Sequence, residues 1–256
     1  MVSVLIIKNL LKIKIHPLFY LFAYLSGITG LFYEFVIFTI IIFVHEMGHV
    51  TAGLLFKINI KKILILPFGG LTIFEMPINI RLYKEFLIAV MGPLFQIIFW
   101  LFLYKINYCN SVFNYYNTFI LLFNLLPISP LDGSKIFNII INKITSFKKS
   151  YFVTFYTSII TIILFIYIII FKNYNLSLII IVLFLIKELI KGYINFNFIF
   201  NKFLLERYKN DFHFSKRRVI KNINSMKRDY SHIIKEGNKY VTEKEILRKR
   251  FDNVSK

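Results

Sequence analysis

Cysteine is almost absent from this sequence. The 256 residues contain a single cysteine, Cys109. One cysteine cannot form a disulfide within the chain, and it has no second thiol with which to bind a metal. This excludes a disulfide-stapled fold and a zinc site built from several cysteines. We therefore expect Cys109 to be an incidental loop residue.

Acidic residues are also scarce. The chain has 13 Asp and Glu against 32 Lys and Arg, which gives a formal net charge of +19. Such an excess can indicate nucleic-acid binding, but basic residues also flank membrane segments on the cytoplasmic side. Because the apolar content is high as well, we expect anionic lipid, and not nucleic acid, to be the partner for this charge.

Apolar residues are present in excess. They make up 57% of the chain, whereas soluble globular proteins contain about 45–50%. They collect in runs of about 20 residues, the length that crosses a bilayer core. The first residues, MVSVLIIKNLLKIKIHP, lack a small-residue cleavage site, so a removable signal peptide is not expected. The pattern predicts an all-α polytopic membrane protein.

Six membrane-spanning segments are predicted, and the sixth is interrupted by Lys187, Glu188 and Lys191. Lys and Arg are abundant in every second loop and in the tail, where residues 201–256 carry 16 of them. Since basic loops stay inside, both termini are predicted to be cytoplasmic. The predicted spans are residues 17–33, 34–56, 84–104, 116–140, 152–171 and 176–196.

The segment KKILILPFGGLTIFEMPI follows the second span. It is too short, and too interrupted by Pro67, Gly69 and Gly70, to cross a bilayer. Its β-branched, apolar character favours a re-entrant β-hairpin-like loop, which is tolerated at membrane depth where it is buried in protein or lines a wet cavity. An ordinary amphipathic cytoplasmic loop is the alternative.

A His-Glu-x-x-His pattern lies inside the second span, at His45, Glu46 and His49. Residues four apart on a helix share one face, about one turn apart. Two imidazoles in that arrangement can hold one zinc ion, with the glutamate beside it as general base. A hydrogen-bonded pair of interhelical histidines is the alternative.

A catalytic zinc ion typically takes three protein ligands, so a third is needed. Besides Glu46, Asp132 is the acid that lies deep in apolar sequence, with only Lys135 near it. A charge at the bilayer centre costs about 2.5–3.5 kcal/mol, so such residues are usually functional. Pro127 and Pro130 interrupt the helix just before Asp132. The alternative for Asp132 is a helix cap after a proline turn.

Three segments resemble one known family. HEMGH at 45–49, MGP at Met91–Pro93 and NLLPISPLDG at Asn124–Gly133 are similar to the site-2 protease family of intramembrane zinc metalloproteases. The resemblance covers about residues 16–140. KIHPLFYLFAYLSGITG, LPFGG and the six-span layout look like the branch typified by stage IV sporulation factor FB. That branch processes the inactive precursor of sigma-K in spore-forming bacteria.

This resemblance implies roles for individual residues. His45, His49 and Asp132 would hold one Zn²⁺ ion, and Glu46 would be the catalytic base. Substrate contacts are implied in two groups, one before the aspartate and one in the hairpin: Asn124, Pro127 and Pro130, and Phe68, Gly69 and Gly70. It further implies a membrane-associated substrate, most directly a sigma-factor precursor, inhibitory membrane proteins as partners, and a place in the mother-cell membrane around the forespore.

Other functions remain open from the residues alone. A site-2 protease could instead cut a membrane-anchored anti-sigma factor or a signal-peptide remnant. A metal or proton transporter also uses intramembrane His and Asp, but no inverted repeat of broken helices is visible. An inactive, peptide-binding relative would not need Glu46.

The domain expectation is a membrane metalloprotease domain over residues 1–200 and a basic cytoplasmic tail over 201–256. YSHIIKEGNKYVTEKEILRKRF resembles the end of a cystathionine-β-synthase-type domain, which senses nucleotides such as ATP in the sporulation branch. The tail is shorter than such a domain. His213 and His232 lie in this polar stretch, and we expect both to be solvated.

Overall fold

The structure is a computed structural model that describes residues 13–66, 69–171, 176–210, 212, 214–237 and 239–252. The predicted contact residue Phe68 and the tail residue His213 lie outside these ranges. The described chain is mostly helical and also contains two three-stranded sheets. The all-α class therefore describes the membrane helices but omits the sheets.

Eight helices and six strands are described. The helices are α1 (Pro17–Ile28), α2 (Phe32–Leu55), α3 (Leu82–Lys105), α4 (Ser111–Asn124), α5 (Asp132–Ile144), α6 (Phe147–Phe171), α7 (Leu176–Lys209) and α8 (Glu243–Asp252). The strands are β1 (Ile13–Ile15), β2 (Asn59–Leu66), β3 (Gly69–Glu75), β4 (Lys216–Ile220), β5 (Tyr230–Glu236) and β6 (Lys239–Thr242).

Within the described residues, three helices are long and apolar enough to cross a membrane: α2, α3 and Phe147–Ile170 of α6. They coincide with three of the predicted spans, 34–56, 84–104 and 152–171. The predicted span 116–140 is divided, because α4 ends at Asn124 and α5 begins at Asp132. The two intervening prolines explain the break. Six crossings stay a prediction.

The chain divides into two compact units. The first comprises the described parts of Met1–Met76 and Phe86–Leu126. Its sheet has the order β1-β2-β3, with β1 parallel to β2 and β2 antiparallel to β3. The predicted hairpin is therefore present as β2 and β3. Its re-entrant position in a membrane stays a prediction.

Helix α2 is the centre of the first unit. Val50 of α2 packs with Ile60 and Ile63 of β2, all at most 5% exposed. Gly48 is a close-approach point, because a Cβ there would collide with the Met91 carbonyl of α3. Because α2 packs against both α3 and the sheet, its polar residues His45, Glu46 and His49 are buried in the interior of this unit.

The second unit comprises the described parts of Pro77–Glu85 and Pro127–Lys256. Its sheet has the order β4-β5-β6, and its apolar core combines Phe147 of α6 and Phe203 of α7 with Ile234 of β5 and Leu247 of α8. Phe203 and Leu247 are completely buried. Helix α7 runs through residue 200, so the tail packs as a folded part of this unit.

The expectation that His232 is solvated is wrong. Its side chain is only 3% exposed. His232 Nδ1 lies 3.0 Å from Glu243 Oε2, and the Lys227 backbone N–H donates to His232 Nε2 at 3.0 Å. The buried Arg207 donates to the same glutamate at 2.9 Å. Both ring nitrogens of His232 therefore have hydrogen-bond partners, which allows the imidazole to be buried although the surrounding sequence is highly charged.

Two pKa values shift in this cluster. Burial lowers the pKa of His232 below its usual 6.5, although the hydrogen bond to Glu243 acts in the opposite direction. Burial alone raises the pKa of Glu243, but the hydrogen bond with His232 and the charge of Arg207 lower it overall. His232 is therefore held neutral beside an ionised carboxylate.

Candidate metal centre

Helix α2 brings the three residues of the His-Glu-x-x-His pattern together. His45, Glu46 and His49 are 2%, 7% and 4% exposed. Their ligand atoms all lie within 4.8 Å of one another, so the group could hold a metal ion. The Nε2 atoms of His45 and His49 are 3.2 Å apart. The i, i+4 spacing thus aims both imidazoles at one point, as predicted.

The other nitrogen of each imidazole lies beside an oxygen that can accept its proton. His45 Nδ1 lies 3.0 Å from Gln96 Oε1, and His49 Nδ1 lies 2.7 Å from the Ile88 carbonyl oxygen. Because both oxygens accept, each Nδ1 carries the proton. The lone pairs then reside on the two Nε2 atoms, which is the tautomer that binds a metal.

Gln96 is held in turn by helix α4. Its Nε2 donates to the Asn117 backbone carbonyl at 2.8 Å and to Asn117 Oδ1 at 3.1 Å. The side chain is completely buried. These two bonds turn the amide oxygen toward His45. Sequence reasoning missed Gln96, although a lone glutamine in the run LIAVMGPLFQIIFWLF was an available signal.

Strand β3 supports Glu46. Thr72 Oγ1 donates to Glu46 Oε2 at 2.5 Å. Gly70 contacts the same carboxyl group, because a Cβ built there would lie 2.5 Å from Glu46 Cδ. Gly69 and Gly70 are predicted substrate contacts, and that role stays a prediction. In the structure, the absence of a side chain at Gly70 lets β3 approach the carboxylate. Thr72 was not predicted.

Gly92 of helix α3 keeps space open beside the imidazoles. A Cβ at this position would collide with the His49 ring and would lie 2.8 Å from His45 Nε2. A side chain here would fill the position that a shared ligand of the two nitrogens must occupy. Two imidazole donors, a neighbouring carboxylate and this open position fit a zinc ion. Within the Met91–Pro93 segment, Gly92 is therefore the residue that leaves room for a metal ion beside the two imidazoles.

An apolar cavity of about 220 Å³ lies beside Glu46, in the first unit. Glu46 is the one ionisable group in its lining. Ile40 and Phe43 are each 45% exposed and form its more open side. The other lining residues come from α2 and from strands β1 and β2: Thr39, Ile42, Met47, Val50, Ile13, Ile63 and Ile65.

Asp132 lies in the second unit, as the first residue of α5. It is 5% exposed, and Lys135 Nζ forms an ion pair with its Oδ1 at 2.8 Å. Asp132 therefore lies inside the first turn of the helix, and the cap position before it belongs to Leu131. Its role as the third zinc ligand stays a prediction.

The predicted substrate contacts near Asp132 have structural partners of their own. Asn124 Nδ2 donates to the Ile120 carbonyl at 3.1 Å at the end of α4. Ser158 Oγ donates to the Pro127 carbonyl and accepts from the Ser129 N–H, both at 3.1 Å. The Pro127–Pro130 segment is thus tied to α6. Contact of Asn124, Pro127 and Pro130 with substrate stays a prediction.

Comparison with known proteins places these residues in a family. Peptidase family M50 matches residues 33–113, which contain the metal-binding pattern. Stage IV sporulation protein FB of Bacillus subtilis is 32% identical over 208 residues, which cover 78% of this chain and 72% of that protein. A zinc metalloprotease of Methanocaldococcus jannaschii is 29% identical over 131 residues, or 45% of this chain and 36% of that protein.

The fold agrees with this placement. The structure of the site-2 protease from Methanocaldococcus jannaschii aligns with a TM-score of 0.56 at 23% identity, over 70% of this chain and 89% of that one. At 23% identity, the structural match supports the fold alone. The family assignment rests on the Bacillus subtilis relative, which is 32% identical. The chain therefore belongs to peptidase family M50, the site-2 protease family of zinc metalloproteases.

Proposed function

We propose that this metalloprotease hydrolyses its substrate at membrane depth, near the cytoplasmic face, with one zinc ion held by His45, His49 and Asp132. The observation that carries the proposal is the convergence of two imidazole Nε2 atoms, 3.2 Å apart, beside a buried glutamate on a helix of membrane-spanning length. Buried ionisable groups in such a helix are costly and are kept for function.

The roles of the chain's own groups follow from their contacts. When bound, a zinc ion supplies Lewis acidity, which acidifies water and polarises a carbonyl group. Glu46 takes the proton of the attacking water and later passes it to the leaving amine. The hydrogen bond from Thr72 holds the carboxylate in one orientation for these transfers. Gln96 and the Ile88 carbonyl keep both imidazoles in the ligating tautomer.

The sheet offers a place for an extended substrate. Within the described residues, β3 is an edge strand, and its Gly70 touches the Glu46 carboxyl group. A peptide added along such an edge would gain backbone hydrogen bonds and would pass the catalytic base. Gly69 and Gly70 belong to β3, which supports their proposed role in substrate binding, and we propose the same role for Phe68, which precedes them in the sequence.

The apolar cavity beside Glu46 fits a large apolar side chain of the substrate. Its volume of about 220 Å³ exceeds the roughly 150 Å³ of an apolar cavity that binds benzene. A side chain there would be anchored next to the scissile bond. This favours substrates with a large aliphatic or aromatic residue adjacent to the cleaved bond.

Similarity to stage IV sporulation protein FB supports a sporulation substrate, and we propose the sigma-K precursor. The same relationship favours a multi-pass protein in the mother-cell membrane around the forespore, with cytoplasmic termini. Inhibitory membrane proteins and nucleotide binding by the tail stay predictions. Membership of a zinc metalloprotease family favours proteolysis over metal or proton transport.

The test co-expresses the chain with the sigma-K precursor and follows the size of the precursor on a gel. We expect Glu46→Gln to abolish the shift while the purified protein keeps one zinc ion by elemental analysis. Asp132→Asn should lose both zinc and cleavage. The matched control is Glu75→Gln, which makes the same chemical change at an exposed position at the end of β3 and should cleave normally.

Two failures are distinguishable in this experiment. Cleavage by Glu46→Gln, or folded wild-type protein without zinc, would overturn the catalytic assignment. Zinc-loaded wild-type protein that cuts a different membrane-anchored peptide in a Glu46-dependent way, but leaves the sigma-K precursor intact, would overturn only the substrate.

A further inference from the structure

A large basic cavity lies in the second unit, formed by residues that the proposed proteolysis does not use. Its volume is about 780 Å³. Arg81, Lys143 and Lys216 contribute three exposed cations to its lining. The aromatic residues Tyr83, Phe214 and Tyr230 line the rest, together with Arg228 and Asp229.

The cationic side chains outnumber the acidic ones in this lining. Arg228 is 4% exposed, and its Nη1 atom forms an ion pair with Glu85 Oε2 at 2.6 Å. The one carboxylate in the lining belongs to Asp229, whose Oδ2 accepts the Leu82 backbone N–H at 3.2 Å. The three exposed cations therefore face a single carboxylate. An anion gains Coulomb energy in such a concave site.

Two buried polar atoms of residues that line this cavity have no hydrogen-bond partner among the described residues, the Arg228 Nε donor and the Asp229 Oδ1 acceptor. The Arg228 Nη2 atom donates to the Ile80 carbonyl at 2.8 Å. The next residue, Asp229, has a φ of +58°, a conformation that costs energy for a residue other than glycine. A buried guanidinium nitrogen without a partner requires an explanation, and a bound water or anion would supply the missing acceptor.

The position of the lining residues along the chain places the cavity next to the ends of candidate membrane spans. Arg81 and Leu82 stand at the beginning of α3, which is long and apolar enough to cross a membrane. Lys143 lies four residues before α6, the start of another such segment. Residues at the ends of spanning helices lie at the level of the lipid headgroups. Tyr83 and Tyr230 suit this level, because an amphipathic ring prefers the interface.

We propose that this cavity binds the headgroup phosphate of an anionic phospholipid. Arg81, Lys143 and Lys216 would contact the phosphate and the negative headgroup, as basic pockets beside membrane helices do. Lys216 Nζ is already positioned over the Tyr230 ring, 5.9 Å from its centroid. The site goes beyond the proposed proteolysis, because none of these residues belongs to the metal centre. A soluble phosphate compound shares this chemistry, so the test must separate the two sources.

The experiment uses the full chain in detergent micelles and counts retained lipids by native mass spectrometry. The probes are phosphatidylglycerol and phosphatidylcholine with identical acyl chains. We expect wild-type protein to retain phosphatidylglycerol selectively. Each basic residue near an anionic headgroup is worth roughly a five-fold change in binding, so R81Q/K143Q/K216Q should weaken this retention roughly 100-fold.

The matched control removes the same charge from exposed positions in the same unit that do not line the cavity. Lys149→Gln, Arg217→Gln and Lys221→Gln together serve this purpose, and their combination should retain phosphatidylglycerol like the wild type. All six positions are exposed, so both triple variants should fold, which circular dichroism and size-exclusion chromatography check. The Lys143→Glu reversal is a second variant, in case the first triple misfolds.

A second arm offers glycerol phosphate and ATP as soluble probes. Binding of either probe that depends on Arg81, Lys143 and Lys216, without any preference for phosphatidylglycerol over phosphatidylcholine, would overturn the lipid assignment. Equal loss of lipid in both triple variants, or no selective retention by wild-type protein, would overturn the site itself. Because zinc content and cleavage are not read out, failure here leaves the proteolytic proposal intact.

Discussion

Replacing Gln96 tests whether the geometry around His45 controls metal binding. Gln96→Leu keeps a similar volume in α3 but removes the oxygen that accepts the His45 Nδ1 proton at 3.0 Å. Partners of this kind are worth about 10–100-fold in metal affinity or activity. That corresponds to about 1.4–2.7 kcal/mol. We expect zinc affinity to fall within this range.

The same substitution has a second, separable effect. Gln96 Nε2 also donates to the Asn117 backbone carbonyl and side chain, and both acceptors lose a partner in Gln96→Leu. Leaving a buried polar group unsatisfied costs about 1–3 kcal/mol. Gln96→Glu keeps an acceptor for His45 but loses the donor to Asn117. It should therefore lose stability while it holds zinc close to the wild-type affinity.

The assay is competition for zinc with a chelator of known affinity, on purified protein in detergent. Asn114→Leu is the control, because it removes a different hydrogen bond between the same two helices. In that bond Trp100 Nε1 of α3 donates to Asn114 Oδ1 of α4 at 2.8 Å, and His45 is not one of its partners. It should leave zinc affinity unchanged. A folded Gln96→Leu protein that binds zinc as tightly as the Asn114→Leu protein would refute the reasoning.

Three further predictions concern other parts of the chain. Gly92→Ala puts a methyl group against the His49 ring, so bound zinc should fall to background by elemental analysis in a protein that still folds. Ile40→Trp places a larger side chain in the lining of the apolar cavity and narrows it. The variant should lower the cleavage rate of a peptide with Phe beside the scissile bond roughly 10-fold more than the rate of the same peptide with Ala at that position. Val36→Trp, also exposed on α2 but outside the cavity lining, should change neither rate, and equal effects of the two variants would exclude the pocket. Burial lowers the pKa of His232 in the folded protein, so the unfolded chain binds more protons below pH 6.5. The free energy of unfolding should therefore fall as the pH drops below 6.5. Hydrogen exchange of the Tyr230–Glu236 amides, corrected for intrinsic rates, measures this, and protection that is unchanged between pH 7 and pH 5 would contradict the prediction.

Local patterns predicted the elements of the fold that depend on neighbouring residues. The run of apolar residues around His45 predicted a helix long enough to cross a membrane, and the four-residue spacing of His45 and His49 placed two imidazoles on one of its faces. A β-branched, apolar segment interrupted by proline and glycine predicted the hairpin of β2 and β3. The prolines before Asp132 predicted the break between α4 and α5.

Contacts between distant parts of the chain were not predictable in this way. Gln96 lies 51 residues from His45, and Thr72 lies 26 residues from Glu46. A single polar residue in an apolar run has many potential partners, and only packing selects one. The buried state of His232 was missed for the same reason, because its neutralising partners Arg207 and Glu243 come from two other elements.

The sequence by itself determined the chemistry of this protein: a zinc-type His-Glu-x-x-His pattern on a membrane-length helix, in a family of metalloproteases. Periodicity along one helix depends only on local backbone geometry, so it is readable without the fold. The tertiary structure decided which atoms hold each imidazole, what supports the base, and that the basic tail packs together with earlier helices into one unit that contains a basic cavity. These features depend on packing between segments that are far apart in the chain, and a close-packed interior selects such partners by shape and by hydrogen bonding.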